Sequence, residues 1–198
     1  IGWRGASRYY DPKFKAAFAL EVQALVKVRK ELGLTNVVAM VPFCRTLEEG
    51  QAVVQIMAEN GLDREKNKEL KIYVMCEIPS NVILADKFLD IFDGMSIGSN
   101  DLTQLVLGLD RDSNILAHIG NENDPSVKTL IGAVIERCRA RGKYVGICGQ
   151  APSDYPDFTE FLVKSGINSM SLNPDVIIKM LSVVERAEKI TEGVVKKN

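Results

Sequence analysis

Three apolar runs in this chain each deliver a chemically active side chain at or near their C-terminal ends. These are Glu77 in KIYVMCEIPSN, Asp101 in FDGMSIGSNDLTQ and Cys148 in KYVGICGQ. In parallel α/β folds that edge of the sheet is where ligands bind. Two carboxylates with no His or Cys partner suit a hard divalent cation, Mg2+ or Mn2+, completed by water and an oxygen-rich substrate. The competing readings are structural: Asp101 only caps the helix LTQLVLGL, and Glu77 only faces solvent. A glutamate set between VMC and IP argues against the second, since a charge among apolar neighbours needs a reason to be there.

Cys148 lies in GICGQAPSD, where flanking glycines strip bulk from both sides and let the backbone turn sharply. Its thiol is a nucleophile, a proton exchanger toward carbon, or an inert buried group, and the residues alone leave these open. A Cys–His hydrolase is disfavoured because that chemistry needs an oriented base, and the one histidine, His118, falls in a polar loop. Four arginines stand apart: Arg4, Arg8, Arg45 and Arg111. Their planar forks match carboxylate or phosphoryl oxygens in a way lysine does not. Arg4 and Arg111 bracket the two carboxylates in sequence and are candidates for one mouth, although Arg111 could instead pair with Asp110 or Asp112 at the surface. Ser99 and Asn100, just before Asp101, offer a hydroxyl and an amide to a ligand oxygen.

The elements that must position these residues alternate. PKFKAAFALEVQALVKVRKELG reads as a helix with an early proline, Pro12, and a glycine stop, Gly33. NVVAMVPF reads as a strand, and Thr46 and Glu49 after it are spaced as a capping box. KIYVMCEIP leads into SNVILADKFLDIF, with Ser80 or Asn81 as cap; DGMSIGSND leads into LTQLVLGL; KYVGICG leads into DYPDFTEFLVKSG; INSMSLNP leads into a last helix beginning near Asp175. The strand runs are nearly continuous apolar stretches, as expected where helices cover a parallel sheet. This predicts five βα units plus an opening strand-like fragment, IGWRG. A complete (β/α)8 barrel needs about 250 residues. The expectation is therefore either a smaller doubly wound sheet or the later part of a barrel whose first strands are missing.

Bulk composition excludes several classes. With 25 Lys plus Arg against 26 Asp plus Glu, the net charge of -1 supplies no global field for nucleic acid or an anionic membrane. No apolar run approaches a spanning length, and no secretory signal opens the chain. Cys44, Cys76, Cys138 and Cys148 form no CxxC pair. That argues against a structural zinc site and for a reduced, cytoplasmic setting, with the first three as small buried apolar groups. GMSIGSND lacks the dinucleotide spacing, and there is no GxxxxGK[ST] segment. Arg137, Arg139, Arg141 and Lys143 read as a solvated helix end. The start on IGW, without Met, suggests a piece of something longer.

Taken as an ordered set, IGWRGASRYY, MVPFCRT, VMCEIPSN, IGSNDLTQLVLGLDRD, VGICGQAPSD and GINSMSLNPD resemble the C-terminal barrel of the phosphoenolpyruvate-utilising enzymes. Within that family, GASRYY and GQAPSD look most like the phosphoenolpyruvate synthases (pyruvate, water dikinases). The resemblance covers the whole chain, 1–198, as a pyruvate- and phosphoenolpyruvate-binding domain truncated on its N-terminal side. It implies a partial (β/α)8 barrel of the last five to six βα units. It implies Mg2+ on Glu77 and Asp101, with Mn2+ as an alternative. Asn100 and Ser99 would contact substrate, Arg4 and Arg111 would hold the phosphoryl group and substrate, and Cys148 would exchange a proton with carbon 3 of pyruvate or its enolate.

The same resemblance implies partners. The phosphoryl group would arrive on a phosphohistidine domain loaded from ATP by an ATP-grasp domain, neither of which this chain contains; His118 does not match the carrier motif. The whole reaction would convert ATP, pyruvate and water to AMP, phosphoenolpyruvate and phosphate. The isolated chain is expected to fail at that net reaction and to form a homo-oligomer that covers open strand edges. The alternatives are a pyruvate, phosphate dikinase or sugar-phosphotransferase barrel, a Mg2+-dependent pyruvate-enolate lyase, and an inactive binding fragment.

Overall fold

The computed structural model describes residues 1–116 and 118–195. Among them, five strands form one parallel sheet: β1 (Ala39–Val41), β2 (Ile72–Cys76), β3 (Gly94–Ile97), β4 (Tyr144–Ile147) and β5 (Ser169–Met170). Helices α1 (Ala6–Tyr9) and α2 (Lys15–Lys30) precede β1, and α3 (Leu47–Glu59) follows it. Next come α4 (Pro79–Ile83) and α5 (Ala85–Ile91) after β2, then α6 (Ser99–Leu107) and α7 (Pro125–Ala140) after β3. Helices α8 (Ala151–Asp154) and α9 (Pro156–Ser165) follow β4, and α10 (Ile177–Val195) follows β5. No helix among the described residues is long and apolar enough to cross a membrane.

Strand order decides between the two architectures the sequence allowed. A doubly wound sheet reverses direction at a switch point, whereas a barrel lays each strand beside the last. Here the order is β1-β2-β3-β4-β5 without reversal. The chain is a partial (β/α) barrel.

Three local expectations are corrected. The opening IGWRG is not a strand: Gly2 and Gly5 sit at φ of 47° and 64°, outside the extended region, and Ala6 N–H donates to Pro42 O at 3.0 Å instead of joining a ladder. Pro12 lies in a turn ahead of α2. Thr46 caps α3 by accepting from Glu49 N–H at 3.3 Å, but the Glu49 carboxylate accepts from Arg45 N–H at 2.7 Å, so the box closes one residue early. Asn81 does cap α4, from inside its first turn: its Oδ1 accepts from Ile78 N–H at 3.0 Å and Glu77 N–H at 3.3 Å.

The strands read apolar on both faces, yet only one face is buried throughout. Ile72, Val74, Cys76, Met95, Ile97, Val145 and Ile147 are all at most 2% exposed, and they share the core with Phe88, Leu89, Ile131, Ile135, Phe158 and Leu162. Each such side chain contributes about 1.5–3 kcal/mol relative to exposure. The alternate face carries Tyr73, Ser96 and Tyr144, half-buried, and Cys148 just beyond β4, exposed. The Tyr73 and Tyr144 rings stack there at 4.6 Å.

Register sets the height of the functional tips. Cys76 pairs with Ile97 and Ile97 with Ile147. The next residues, Glu77, Gly98 and Cys148, are therefore level, with Gly98 N–H on Cys76 O at 3.1 Å and Cys148 N–H on Ile97 O at 3.0 Å.

Candidate active site

Glu77 leaves the tip of β2 and is 4% exposed. Its Oε1 accepts from the Phe43 N–H at 2.7 Å. Gly98 is small because it must be: a Cβ there would lie 2.7 Å from Glu77 Oε2 and 2.7 Å from the Met75 Cε. Asn81, fully buried, ties this corner together by donating to Cys44 O at 2.7 Å while its Oδ1 serves the 77–78 turn. Burial pushes the Glu77 carboxyl above the usual range. The Phe43 N–H opposes that shift, Asp101 reinforces it, and Arg4 and Arg111 pull it down.

Asp101 lies in the first turn of α6, three residues beyond the Gly98 tip, and is 7% exposed. Its oxygens are not spent on capping. Oδ1 accepts from Arg4 Nη1 at 2.8 Å and Oδ2 from Arg111 Nη1 at 3.1 Å. Arg111 thus leaves Asp110 and Asp112 for a partner ten residues back, and Arg4 reaches it from 97 residues earlier in the chain. Ser99 is fully buried and Asn100 half-buried in the same turn. Asn100 and Arg111 line a cavity of about 340 Å3 together with Thr103 and Glu122.

Cys148 stands exposed on the open face of the sheet, while Cys44, Cys76 and Cys138 are buried. Its thiol lies 3.5 Å from Ser96 Oγ, 3.6 Å from Ile97 O and 3.8 Å from Met75 Sδ. Burial against these neighbours raises its pKa, the Ser96 hydroxyl lowers it, and nearby Glu77 raises it further. Burial pushes the Cys44 and Cys138 thiols up to about 12. None is positioned to act as a thiolate at neutral pH.

The four arginines divide. Arg4 and Arg111 reach the site. Arg45 instead fastens the opening segment, donating to Gly2 O at 2.6 Å, Arg4 O at 3.2 Å and Ser7 Oγ at 3.2 Å. Arg8 stacks over Phe14 at 4.3 Å and Trp3 at 5.1 Å, away from the carboxylates. The basic end of α7 is also not simply solvated: Arg141 pairs with Asp90 at 2.7 Å, Arg137 with Asp86 at 3.7 Å, and Arg139 donates to Ser165 O at 3.1 Å.

Phe43 escaped the sequence reading. Its ring lies beneath both Arg4, at 4.3 Å, and Arg45, at 4.6 Å, and its N–H holds Glu77. It does this at φ 43°, a strained conformation for a residue other than glycine. Gly5 permits the close approach, since a Cβ there would meet Phe43 Cβ at 2.4 Å. Nothing in MVPFCRT signals a left-handed Phe. Glu122, within the polar stretch NEND, was likewise silent in sequence.

Among the described residues no group of three or more His, Cys, Asp or Glu side chains is placed to hold a metal ion. Two carboxylates remain compatible with Mg2+, which commonly takes one or two protein carboxylates and draws its other oxygens from water and substrate. Glu77 fits: a carboxylate raised by burial, and further by neighbouring Asp101, is relieved by a cation.

The PEP-utilising enzyme, PEP-binding domain family matches residues 1–189. The chain is 60% identical over 189 residues to a phosphoenolpyruvate synthase of Synechocystis sp., covering 96% of this chain and 23% of that protein. It is 56% identical over 197 residues to the phosphoenolpyruvate synthase of Aquifex aeolicus, covering 99% of this chain and 23% of that one. It is 52% identical over 186 residues to that of Escherichia coli K12, covering 93% of this chain and 23% of that one. The chain thus spans about a quarter of the length of these relatives. With its barrel order and its rim of paired carboxylates and arginines, it belongs to the PEP-utilising enzyme family, as the PEP-binding domain.

Proposed function

We propose that this chain binds pyruvate and phosphoenolpyruvate at the rim formed by Glu77, Asp101, Arg4 and Arg111. In a full phosphoenolpyruvate synthase it would serve as the half-site where a phosphoryl group passes from phosphohistidine to pyruvate enolate. The net reaction there is ATP, pyruvate and water to AMP, phosphoenolpyruvate and phosphate, with ATP and phosphohistidine handled by other domains. The observation that carries this reading is the convergence on Asp101 of two arginines separated by more than a hundred residues, on a helix that starts level with a second buried carboxylate and a thiol.

Glu77 and Asp101 would hold Mg2+, or Mn2+, which when bound supplies Lewis-acid stabilisation of negative charge on the substrate oxygens. Arg4 and Arg111 would turn their remaining N–H groups to carboxylate or phosphoryl oxygens, compensating charge during transfer. Asn100 and Ser99 would orient those oxygens. Cys148, kept protonated by its surroundings, would give its proton to carbon 3 of the enolate and, as the thiolate so formed, would take one back from the methyl group of pyruvate. Unpaired cysteines suit a reducing cytoplasm. The β1 and β5 edges, with Met40 44% exposed on β1, would be covered in a homo-oligomer.

Calorimetric titration of the chain with oxalate, a pyruvate-enolate mimic, tests the core of the reading. Heat that requires Mg2+ and disappears in Glu77→Gln and Asp101→Asn is the expected result. A folded wild-type sample giving no Mg2+-dependent heat would sink it.

A further inference from the structure

Glu122 lies near the end of the segment joining α6 to α7, and the ion-pair network on Asp101 does not account for it. It is half-buried, and its Oε1 is enclosed without a hydrogen-bond partner, as is the hydroxyl of fully buried Ser99. The two meet against Gly149. A Cβ at that position would lie 1.6 Å from Ser99 Oγ and 2.9 Å from Glu122 Oε1. Burial raises the Glu122 carboxyl and Asp154 raises it further. Ser99 and the Ala151 N–H, the nearest donors, oppose that rise without completing well-formed hydrogen bonds. Under-satisfied buried polar groups are rare in folded proteins and gather where function demands them.

The contact joins three pieces of the rim. Gly149 follows Cys148 directly, and Ser99 precedes Asn100 and Asp101 in the first turn of α6. The segment that ends near Glu122 carries Arg111 toward its start, bound to Asp101 at 3.1 Å. Residues 111–122 therefore touch the metal-side carboxylate at one end and the thiol-bearing turn at the other. We propose that Glu122 is a positioning residue: its carboxylate sets the 149–151 turn against Ser99 and so fixes where the Cys148 thiol stands relative to the Glu77–Asp101 pair. Glycine at 149 is required by the same contact, because any side chain would displace Ser99.

This role rests on the part proposed above for Cys148, but its test needs neither metal nor substrate. Because Cys148 is exposed and Cys44, Cys76 and Cys138 are buried, alkylation by iodoacetamide read by peptide mass spectrometry separates the turn from the fold. Glu122→Ala is expected to speed modification of Cys148 about five- to thirtyfold, as the thiol escapes Met75 and Ile97, while the other three stay protected. Glu122→Asp, which keeps the charge but withdraws it by one methylene, should behave like Ala. Glu122→Gln, with the same reach and an acceptor oxygen, should restore the wild-type rate.

Equal Cys148 rates in the Asp and Gln variants would overturn the proposal. So would all four thiols rising together, which would mark Glu122 as a stabilising residue only. If Glu122→Ala does not fold, the Asp and Gln pair still decides. A wild-type chain that shows this thiol ranking but no Mg2+-dependent oxalate heat would count against the proposed function and leave the positioning role standing.

Discussion

Glu77, at the tip of β2, takes a backbone N–H from Phe43, and among the described residues no basic side chain forms an ion pair with it. Asp101, in the first turn of α6, is held by Arg4 at 2.8 Å and by Arg111 at 3.1 Å. The two carboxylates share a rim and differ in who balances their charge. Glu77 is anchored by strand register, a buried amide and the absence of a side chain at Gly98, and Arg4 and Arg111 act on its charge only from a distance. Asp101 sits on a helix start and is countered by two guanidiniums whose side chains are 41% and 46% exposed, so they can turn away. Such half-exposed pairs hold loosely, each contributing under about 1 kcal/mol. A cation shared by both carboxylates would gain most of its attraction from Glu77 and would have to divide Asp101 with the arginines. The β2 corner is thus a fixed anion and the α6 corner one whose counter-charges can exchange.

The strongest break of this contrast is at Gly98. Glu77→Gln and Asp101→Asn are each expected to weaken Mg2+-dependent oxalate binding about a hundredfold or more. Gly98→Ala should come close to Glu77→Gln by displacing the carboxylate without removing it. Calorimetry that finds Gly98→Ala binding as tightly as wild type would mean the rigid placement of Glu77 is unimportant.

A middle-sized effect concerns stability and pH. The Glu77 carboxyl is raised in the fold by burial, so its contribution to stability is fully present below the ordinary carboxylate range and is lost as pH rises through the raised value. Glu77→Gln should therefore melt higher than wild type at pH 8, by roughly 2–4 °C for each ~1 kcal/mol in a chain of this size, and show no gain near pH 4. Asp101→Asn should melt lower, because it strands Arg4 and Arg111. Thermal scans in which both variants move the same way would erase the distinction between the two corners.

The smallest effect tests exchangeability. Arg4→Gln or Arg111→Gln should tighten binding of Mg2+ alone by about two- to fivefold, the scale of a half-exposed ion pair, while weakening phosphoenolpyruvate. Weaker Mg2+ binding in both variants would show that the arginines support the metal corner and do not compete for it.

Much of this was legible in the chain. Strand tips ending in Glu77 and Cys148 follow from apolar runs broken by polar and glycine residues, and Arg4 and Arg111 stood out because arginine forks suit oxyanions. Other features were not. The capping box at Thr46 failed because Glu49 found a better donor in the Arg45 N–H, a choice made by packing that spacing cannot express. IGWRG looked like a strand because its apolar letters say nothing of two glycines at positive φ. Arg8 and Arg45 carried the same signal as Arg4, and only the neighbouring aromatic rings and carbonyls sorted them.

By itself, the sequence determined the alternation of βα units, the burial of three cysteines and the identity of the groups at the rim. These depend on local periodicity and on side-chain chemistry, which a linear order contains. Tertiary structure alone decided the unreversed strand order, the level register of Glu77, Gly98 and Cys148, the left-handed Phe43 beneath Arg4, and the meeting of Glu122 with Ser99 and Gly149. Each of these brings together residues far apart in the chain through close packing and hydrogen bonding, which depend on where the backbone returns in space and so leave no mark at any one position.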